Sequence, residues 1–379
     1  MNSRHFLMIL ATSCFFGCSS SETSNKEDLK SSNEWELQIV DSIQVDYLGT
    51  VDGGDFKNGK GIIFNFQENK LIEFNEKGEI LNEVAYPIEG PGSVNYPSQL
   101  RYTNDGKLFA ASFISWLYKL NSDLSLNKEI KLSFLSQSND GGGLLRNLDY
   151  WNNYIITWFP GRDGANPFDP FFFRDHYLLE KINAETGDSE AIIKIPPTSR
   201  YATDNYYERP WVQFGITNDL LFLTLSNEPK VHAYDLEQGG KYVNTIDFKP
   251  SKFLDNGEHE KEYQYISGSK MRDGEIRQLF STAEGNIVIF SEGIDEDIFA
   301  QNQLNTPEHF RESDNFQKVF LKIIQQDSTL SNEIEITRRI GRILNIESLS
   351  KPFYALRNDE FLGEEQDYLT FYKLKLIEK

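Results

Sequence analysis

Cysteine is nearly absent: Cys14 and Cys18 are the two in 379 residues, so a small fold stapled by disulfides is excluded, and a chain this long has core enough to do without one. Positive charge is in deficit as well. With 38 Lys+Arg against 58 Asp+Glu, the net charge of −20 repels nucleic acid and anionic lipid over most of the surface. Beyond the first residues no stretch approaches 18 consecutive apolar side chains, which excludes a membrane-spanning helix there. Aromatic residues, by contrast, are plentiful at 13%, with 28 Phe and 18 Tyr, a composition of short β-strands and adhesive loops rather than of disorder. The length fits two ordinary domains or one large repeat domain.

The N-terminus reads as a processing signal: Arg4 gives a positive start, residues 6–16 form an apolar run too short to span a membrane, and Phe15-Phe16-Gly17-Cys18 follows. This resembles a bacterial lipoprotein signal peptide with its lipobox. The resemblance implies cleavage of residues 1–17 after the small Gly17 and transfer of diacylglycerol to the Cys18 thiol, which becomes the mature N-terminus. Phe15 stands where the family usually has Leu, and Ala11-Thr12-Ser13-Cys14 is a weaker competing site that leaves a shorter apolar run. Residues 18–33 carry Ser, Lys and Glu with almost nothing apolar and read as a flexible tether, leaving residues 34–379 as the folded part. Ser19 after the cysteine differs from the Asp that retains some lipoproteins at the inner membrane, so an outer-membrane lipoprotein is expected, facing either side.

A cadence of strands then repeats. One copy runs 99–102, turn at Asn104-Asp105-Gly106, 107–113, 116–121 and 127–132; another runs 212–216, turn at Asn218-Asp219, 220–225, 230–236 and 242–248. A third reads 276–280, turn at Glu284-Gly285, 286–290, then 316–324 and 333–336 after an insertion. Looser copies are 144–150, 154–159, 177–182 and 191–195, and one that begins near Val45 and continues through 62–66, 71–74 and 80–86. The last runs 353–356, turn at Asn358-Asp359, 361–364 and 368–376, one strand short; the unpartnered strand at 35–40 is the obvious donor.

No single sheet of this kind buries both faces alone, so the sheets must stack, and radial stacking gives an all-β, six-bladed β-propeller of four-stranded antiparallel blades closed by the N-terminal strand. Five or seven blades are the alternatives if the looser copies divide differently. Gly90-Pro91-Gly92 followed by Tyr96-Pro97 is similar to a blade-junction pattern of Bacteroidetes lipoproteins with TolB-like or NHL-like six-bladed propellers, a group without known function. Ser93 replaces the acidic residue of that pattern. Read locally, the segment is a tight turn between blades.

Strand parity divides the connections between two faces of the disk. Asn104-Asp105-Gly106, Asn218-Asp219, Glu284-Gly285 and Asn358-Asp359 fall on a tight-turn face, and the long segments 160–174, 197–210, 249–274, 293–315 and 339–352 fall on the other. That loop face is the expected recognition surface. Its candidate ligand-binding residues are Arg162, Asp163, Arg174, Arg200, Tyr201, Tyr206, Tyr207, Arg209 and Trp211, since planar rings stack on sugars or anchor peptides and Arg forks onto carboxylates. Phe171-Phe172-Phe173 reads as a secondary hydrophobic cluster over the blade tops.

Catalytic patterns are incomplete. His259-Glu260 lacks a second histidine at Tyr263; Ser267-Gly268-Ser269-Lys270 lacks its companion motifs; His232 sits in a strand and reads as packed; Gly90 and Gly92 open no helix. Asp163, Asp169 and Asp175 match no calcium loop. No metal or cofactor is expected, nor nucleic acid, and a monomer is the expected state. The function expected is a membrane-anchored envelope propeller that binds a glycan, peptide or protein partner without catalysis. The alternatives are a polysaccharide hydrolase or lyase, which needs paired acids on the loop face, and an assembly scaffold.

Overall fold

The computed structural model describes residues 34–112, 116–132, 134, 148–158, 162–167, 169–258, 271–306, 308–364 and 366–379. The signal segment, Cys18, the tether, His259-Glu260 and the 267–270 motif lie outside them. The strands form six four-stranded antiparallel sheets.

The chain starts with β1 (Trp35–Val45) and then builds blade one from β2 (Gly53–Lys57), β3 (Lys60–Asn65), β4 (Lys70–Asn75) and β5 (Ile80–Ala85). Blade two holds β6 (Gln99–Tyr102), β7 (Leu108–Ala111), β8 (Leu117–Leu120) and β9 (Leu126–Ile130); blade three holds β10 (Leu148–Trp151), β11 (Tyr154–Thr157), β12 (Leu179–Asn183) and β13 (Ser189–Ile192). Blade four follows with β14 (Val212–Thr217), β15 (Leu220–Leu225), β16 (Lys230–Asp235) and β17 (Lys241–Asp247), and blade five with β18 (Glu275–Thr282), β19 (Gly285–Ser291), β20 (Val319–Gln325) and β21 (Ile334–Glu335). Blade six contributes β22 (Ile340–Asn345), β23 (Phe353–Arg357) and β24 (Leu369–Glu378), and β1 pairs with β24 as its fourth strand.

Composition sets each strand's place. Middle strands are covered by blades on both sides and are almost continuously apolar, as in β19 (GNIVIFS), buried throughout. Outer strands alternate: β5 (ILNEVA) exposes Leu81, Glu83 and Ala85 and turns the intervening residues inward. One apolar cluster fills each of the six blade junctions, for example Ile62, Phe64, Leu100 and Tyr118 between blades one and two. The clasp is long, with β1 registered on β24 from Trp35 opposite Glu378 to Val45 opposite Leu369. Asn332 of blade five fixes its start, accepting from the Trp35 backbone N–H at 2.7 Å and donating to its carbonyl at 3.0 Å.

The first strands of the blades meet around the axis, and a polar link spans every junction there. Asp55 accepts the Tyr102 N–H (2.8 Å), Arg101 Nε donates to Asp149 (2.9 Å), and Asp149 accepts the Ile216 N–H (3.0 Å). Gln213 donates to the Ile276 carbonyl (3.0 Å), Gln278 to that of Ile343 (2.9 Å), and Asn345 to that of Phe56 (3.0 Å), which returns the ring to blade one. Burial works against the charge on Arg101, but Asp149 and Asp55 (3.6 Å) more than restore it.

Two expectations need correction. Val45 does not open the first blade but ends the clasp; the opening strand is β2, which begins with Gly53-Gly54. Gly53 is required because a Cβ there would sit 2.1 Å from the Ser98 carbonyl oxygen. Residues 361–364 are not a strand: Asn358 caps a helical turn α1 at Asp359–Leu362 by accepting the Phe361 N–H, and Gly363 ends it with φ of +66°. The missing strand of blade six is β22, inside the supposed loop 339–352. Asn358-Asp359 therefore lies on the loop face and 346–352 on the tight-turn face.

Candidate functional site

With these corrections the longest connections still emerge together. Segments 158–178, 193–211, 248–274 and 292–318 all join the second strand of a blade to its third, or one blade to the next, and their described residues rise on one face. They wall a cleft of about 530 Å³ above blades three to five. The segment 292–318 is braced from beneath by Ile294, Phe299 and Leu304, which form a small core of their own.

One wall is the segment 199–211. Ser199 donates to Glu228 at 2.7 Å, and Tyr201 is buried with its hydroxyl donating to the Glu208 carbonyl at 2.9 Å. Burial would raise the Glu228 carboxyl, but His232, 3.8 Å away, and the hydrogen bonds from Lys230 and Ser199 hold it at about 2. Arg200 lies over Tyr201 and Tyr207 (5.3 and 4.9 Å) and pairs with Asp255 at 2.5 Å. At the end of the wall, the Trp211 N–H donates to the Ser226 hydroxyl and its carbonyl accepts the Ser226 N–H, both at 2.8 Å, and the Arg209 guanidinium lies 5.2 Å above its ring.

The opposite wall starts at Met271. Arg272 stacks over Phe310 (5.4 Å) and lies 3.6 Å from Glu275, while Asp273 accepts the Asn256 N–H at 2.7 Å. Desolvation, then the charges of Asp273 and Glu275, push the Glu208 carboxyl up to about 7. Asp273 is raised to about 6, mainly by burial. Glu208 thus keeps part of its proton population at neutral pH and Asp273 does so at slightly acidic pH, where ordinary acids have lost theirs.

Of the candidates named from sequence, Tyr201, Tyr206, Tyr207, Arg209 and Trp211 line the cleft. Arg162, Arg174 and Arg200 are not in its lining. Arg162 is a bidentate partner of Glu180 (2.9 and 2.6 Å) in β12. Arg174 bonds Asp175 and Asp204 and covers Phe171 at 4.4 Å. Asp163 sits in the turn Arg162–Gly164, its side chain outside the described residues. Phe172 and Phe173 are buried, as a packing cluster requires, in the helical turn Phe172–Asp175, whereas Phe171 meets Tyr206 at 5.2 Å. His232 is buried in β16 with Nδ1 2.8 Å from the Thr245 hydroxyl, and Gly90 and Gly92 adopt φ of +93° and +76° in an exposed blade-junction turn.

Sequence reasoning missed Glu208, Arg272, Asp273 and Glu275. Glu208 stands among the residues singled out, but its neighbours in space come from 271–275, and nothing in the local pattern announces that approach.

No model of a known protein family matches the chain, and no curated protein matches it. Solved structures do. A member of the DUF4221 family from Bacteroides vulgatus superposes with a TM-score of 0.66 at 13% identity, over 92% of this chain and 100% of that one. A Bacteroides fragilis protein described as exported gives 0.51 at 12% identity, over 93% and 97%. Virginiamycin B lyase from Staphylococcus aureus gives 0.43 at 14% identity, over 91% and 100%. The first two likenesses are ones of fold, and they place this six-bladed propeller beside Bacteroides proteins, the group to which the Gly90–Pro97 pattern is similar.

Proposed function

We propose that the protein is an exported envelope lipoprotein, released from residues 1–17, anchored to the outer membrane through Cys18 and the tether 18–33, which binds a glycan in the loop-face cleft without transforming it. The observation that carries this reading is the cleft itself. Its volume falls within the range of ligand pockets (~300–1,000 Å³), and Trp211, Tyr206 and Tyr207 bring rings to a lining that also holds Arg209, Arg272, Glu208 and Asp273. Rings stack on the apolar faces of sugars, and the protonated carboxyls and guanidinium groups donate to hydroxyls. Even with Glu208 and Asp273 protonated, Asp169 and Glu275 balance Arg209 and Arg272, so the lining has no excess positive charge to draw an acidic glycan, which favours neutral ones. Export is supported by the N-terminal signal and accords with the exported Bacteroides fragilis protein of like fold.

The test is a panel of neutral and acidic polysaccharides titrated calorimetrically against the full chain in detergent. Neutral glycans are expected to bind, with Trp211→Ala weakening them about tenfold or more, and Tyr207→Ala with Arg209→Ala abolishing detectable heat. Unchanged affinity in both variants would remove the cleft as the site; binding of proteins but no glycan would replace the ligand class.

The raised carboxyls of Glu208 and Asp273 favour one second reading, a glycan hydrolase with Glu208 as proton donor and Asp273 as its partner. Release of reducing ends by the wild type, lost about a hundredfold or more in Glu208→Gln while binding persists, would establish it. A protein that binds without release keeps the first reading.

A further inference from the structure

The hub presents two arginines in opposite circumstances. Arg101 lies between Asp149 and Asp55, whereas Arg342, on the innermost strand of blade six, has no carboxylate partner among the described residues. Its Nη1 is sealed from solvent with no hydrogen-bond acceptor. Asp52 supplies a favourable charge, but that carboxylate already accepts from the Thr50 hydroxyl (2.9 Å) and the Phe66 N–H (2.8 Å). The side chain as a whole is only partly buried, so the cost falls on the sealed Nη1 end; burial pushes Arg342 down to about 10, and it still holds its proton at neutral pH.

A second group points the same way. The Ser98 hydroxyl, on a residue 5% exposed, is also sealed and without a partner. Ser98 and Arg342 line one small axial cavity of about 10 Å³, together with Gly54, Leu148 and Gln278. That is room for about one water-sized sphere. Ser98 directly precedes β6, Gly54 is the second residue of β2 and Leu148 the first of β10, so the cavity lies toward the loop-face end of the channel. Among the described residues its wall supplies a fixed cation, a hydroxyl and the Gln99 and Gln278 side chains, and no carboxylate.

We propose that this cavity is a binding site for a single small monovalent anion of halide type, held by the Arg342 guanidinium and the Ser98 hydroxyl. The anion balances the charge that blades one and three balance for Arg101 with their own carboxylates. It locks blade six to blade two across the axis, and its small volume excludes phosphate, sulfate and ligand carboxylates from full entry.

Chloride is the probe. Full-length protein in detergent is melted at constant ionic strength while chloride replaces gluconate, and crystals are soaked in bromide. The melting temperature should climb with the logarithm of chloride once the site begins to fill, by roughly 2–4 °C at saturation, and an anomalous bromide peak should lie between Arg342 and Ser98. Arg342→Gln should remove both responses. Should that variant fail to fold, Ser98→Ala should still show a weakened chloride response. Equal melting in chloride and gluconate with no bromide peak would mean that the cavity holds water only and would overturn the site, as would an undiminished chloride response in Arg342→Gln.

Discussion

The two faces of the disk solve opposite problems. On the tight-turn face the first-to-second connections are mostly pairs of residues such as Asn152-Asn153 and Asn218-Asp219, with Asn152, Asn153 and Asn218 at positive φ, and they do little more than reverse the chain. On the loop face the connections of blades three to five carry short helices, arginine–aromatic stacks and buried acids. Pairing and hub contacts hold the ring together beneath both. The difference teaches that stability and recognition are largely separated here: a change in hub or clasp should act on folding alone, and a change in the cleft should act chiefly on binding, with only a small pH-linked effect on stability.

The sharpest way to break that division is to open the ring. Deleting residues 34–45 strips β24 of its outer partner along its whole length and removes Trp35, Ile43 and Val45 from two junction cores. Loss of cooperative unfolding and self-association through the bared edge are expected, read by thermal melts and size-exclusion chromatography. A monomer with a wild-type melt would show that the clasp is dispensable. A smaller but large effect is expected at the hub. Arg101→Met leaves Asp149 buried opposite an apolar side chain, at a cost of about 3–5 kcal/mol in urea unfolding, with glycan affinity of the folded protein unchanged. A change below 1 kcal/mol would remove the hub ion pair from the account.

Much of the architecture was legible because its signals are local. Alternation and Asn/Asp/Gly turns marked blades two, four and five almost strand for strand, and the orphan segment at Trp35 declared the closure. The errors have one physical cause. At β2 and β22 the strand is defined by a neighbouring blade rather than by its own side chains: Gly53 exists to admit the Ser98 carbonyl, and Gly341 and Arg342 interrupt the apolar run of β22. The site was legible only in part for the same reason. Tyr206 to Trp211 form a conspicuous run, but the acids that charge the cleft meet across blades four and five, a distance of more than 60 positions in sequence that no periodicity bridges. Nor does sequence distinguish Arg200, spent on Asp255, from Arg209 in the cleft lining.

The smallest effect tests the cleft's electrostatics against the fold. Because Glu208 has a folded pKa of about 7 against an ordinary value of 4.5, the native state holds its proton across that interval while the unfolded chain has lost it. Protons bound in excess by the native state mean that stability falls as pH rises from about 4.5 to about 7 and levels off above. Asp273 adds a decline of the same sign between 3.8 and about 6. Other acids titrate too, so the informative quantity is the difference between wild type and Glu208→Gln. The variant should gain stability relative to wild type as pH is raised through that window, measured by paired melts at several pH values. A constant offset between the two would mean that Glu208 titrates as an ordinary surface acid, and that the cleft is wetter and less strongly polarised than its lining implies.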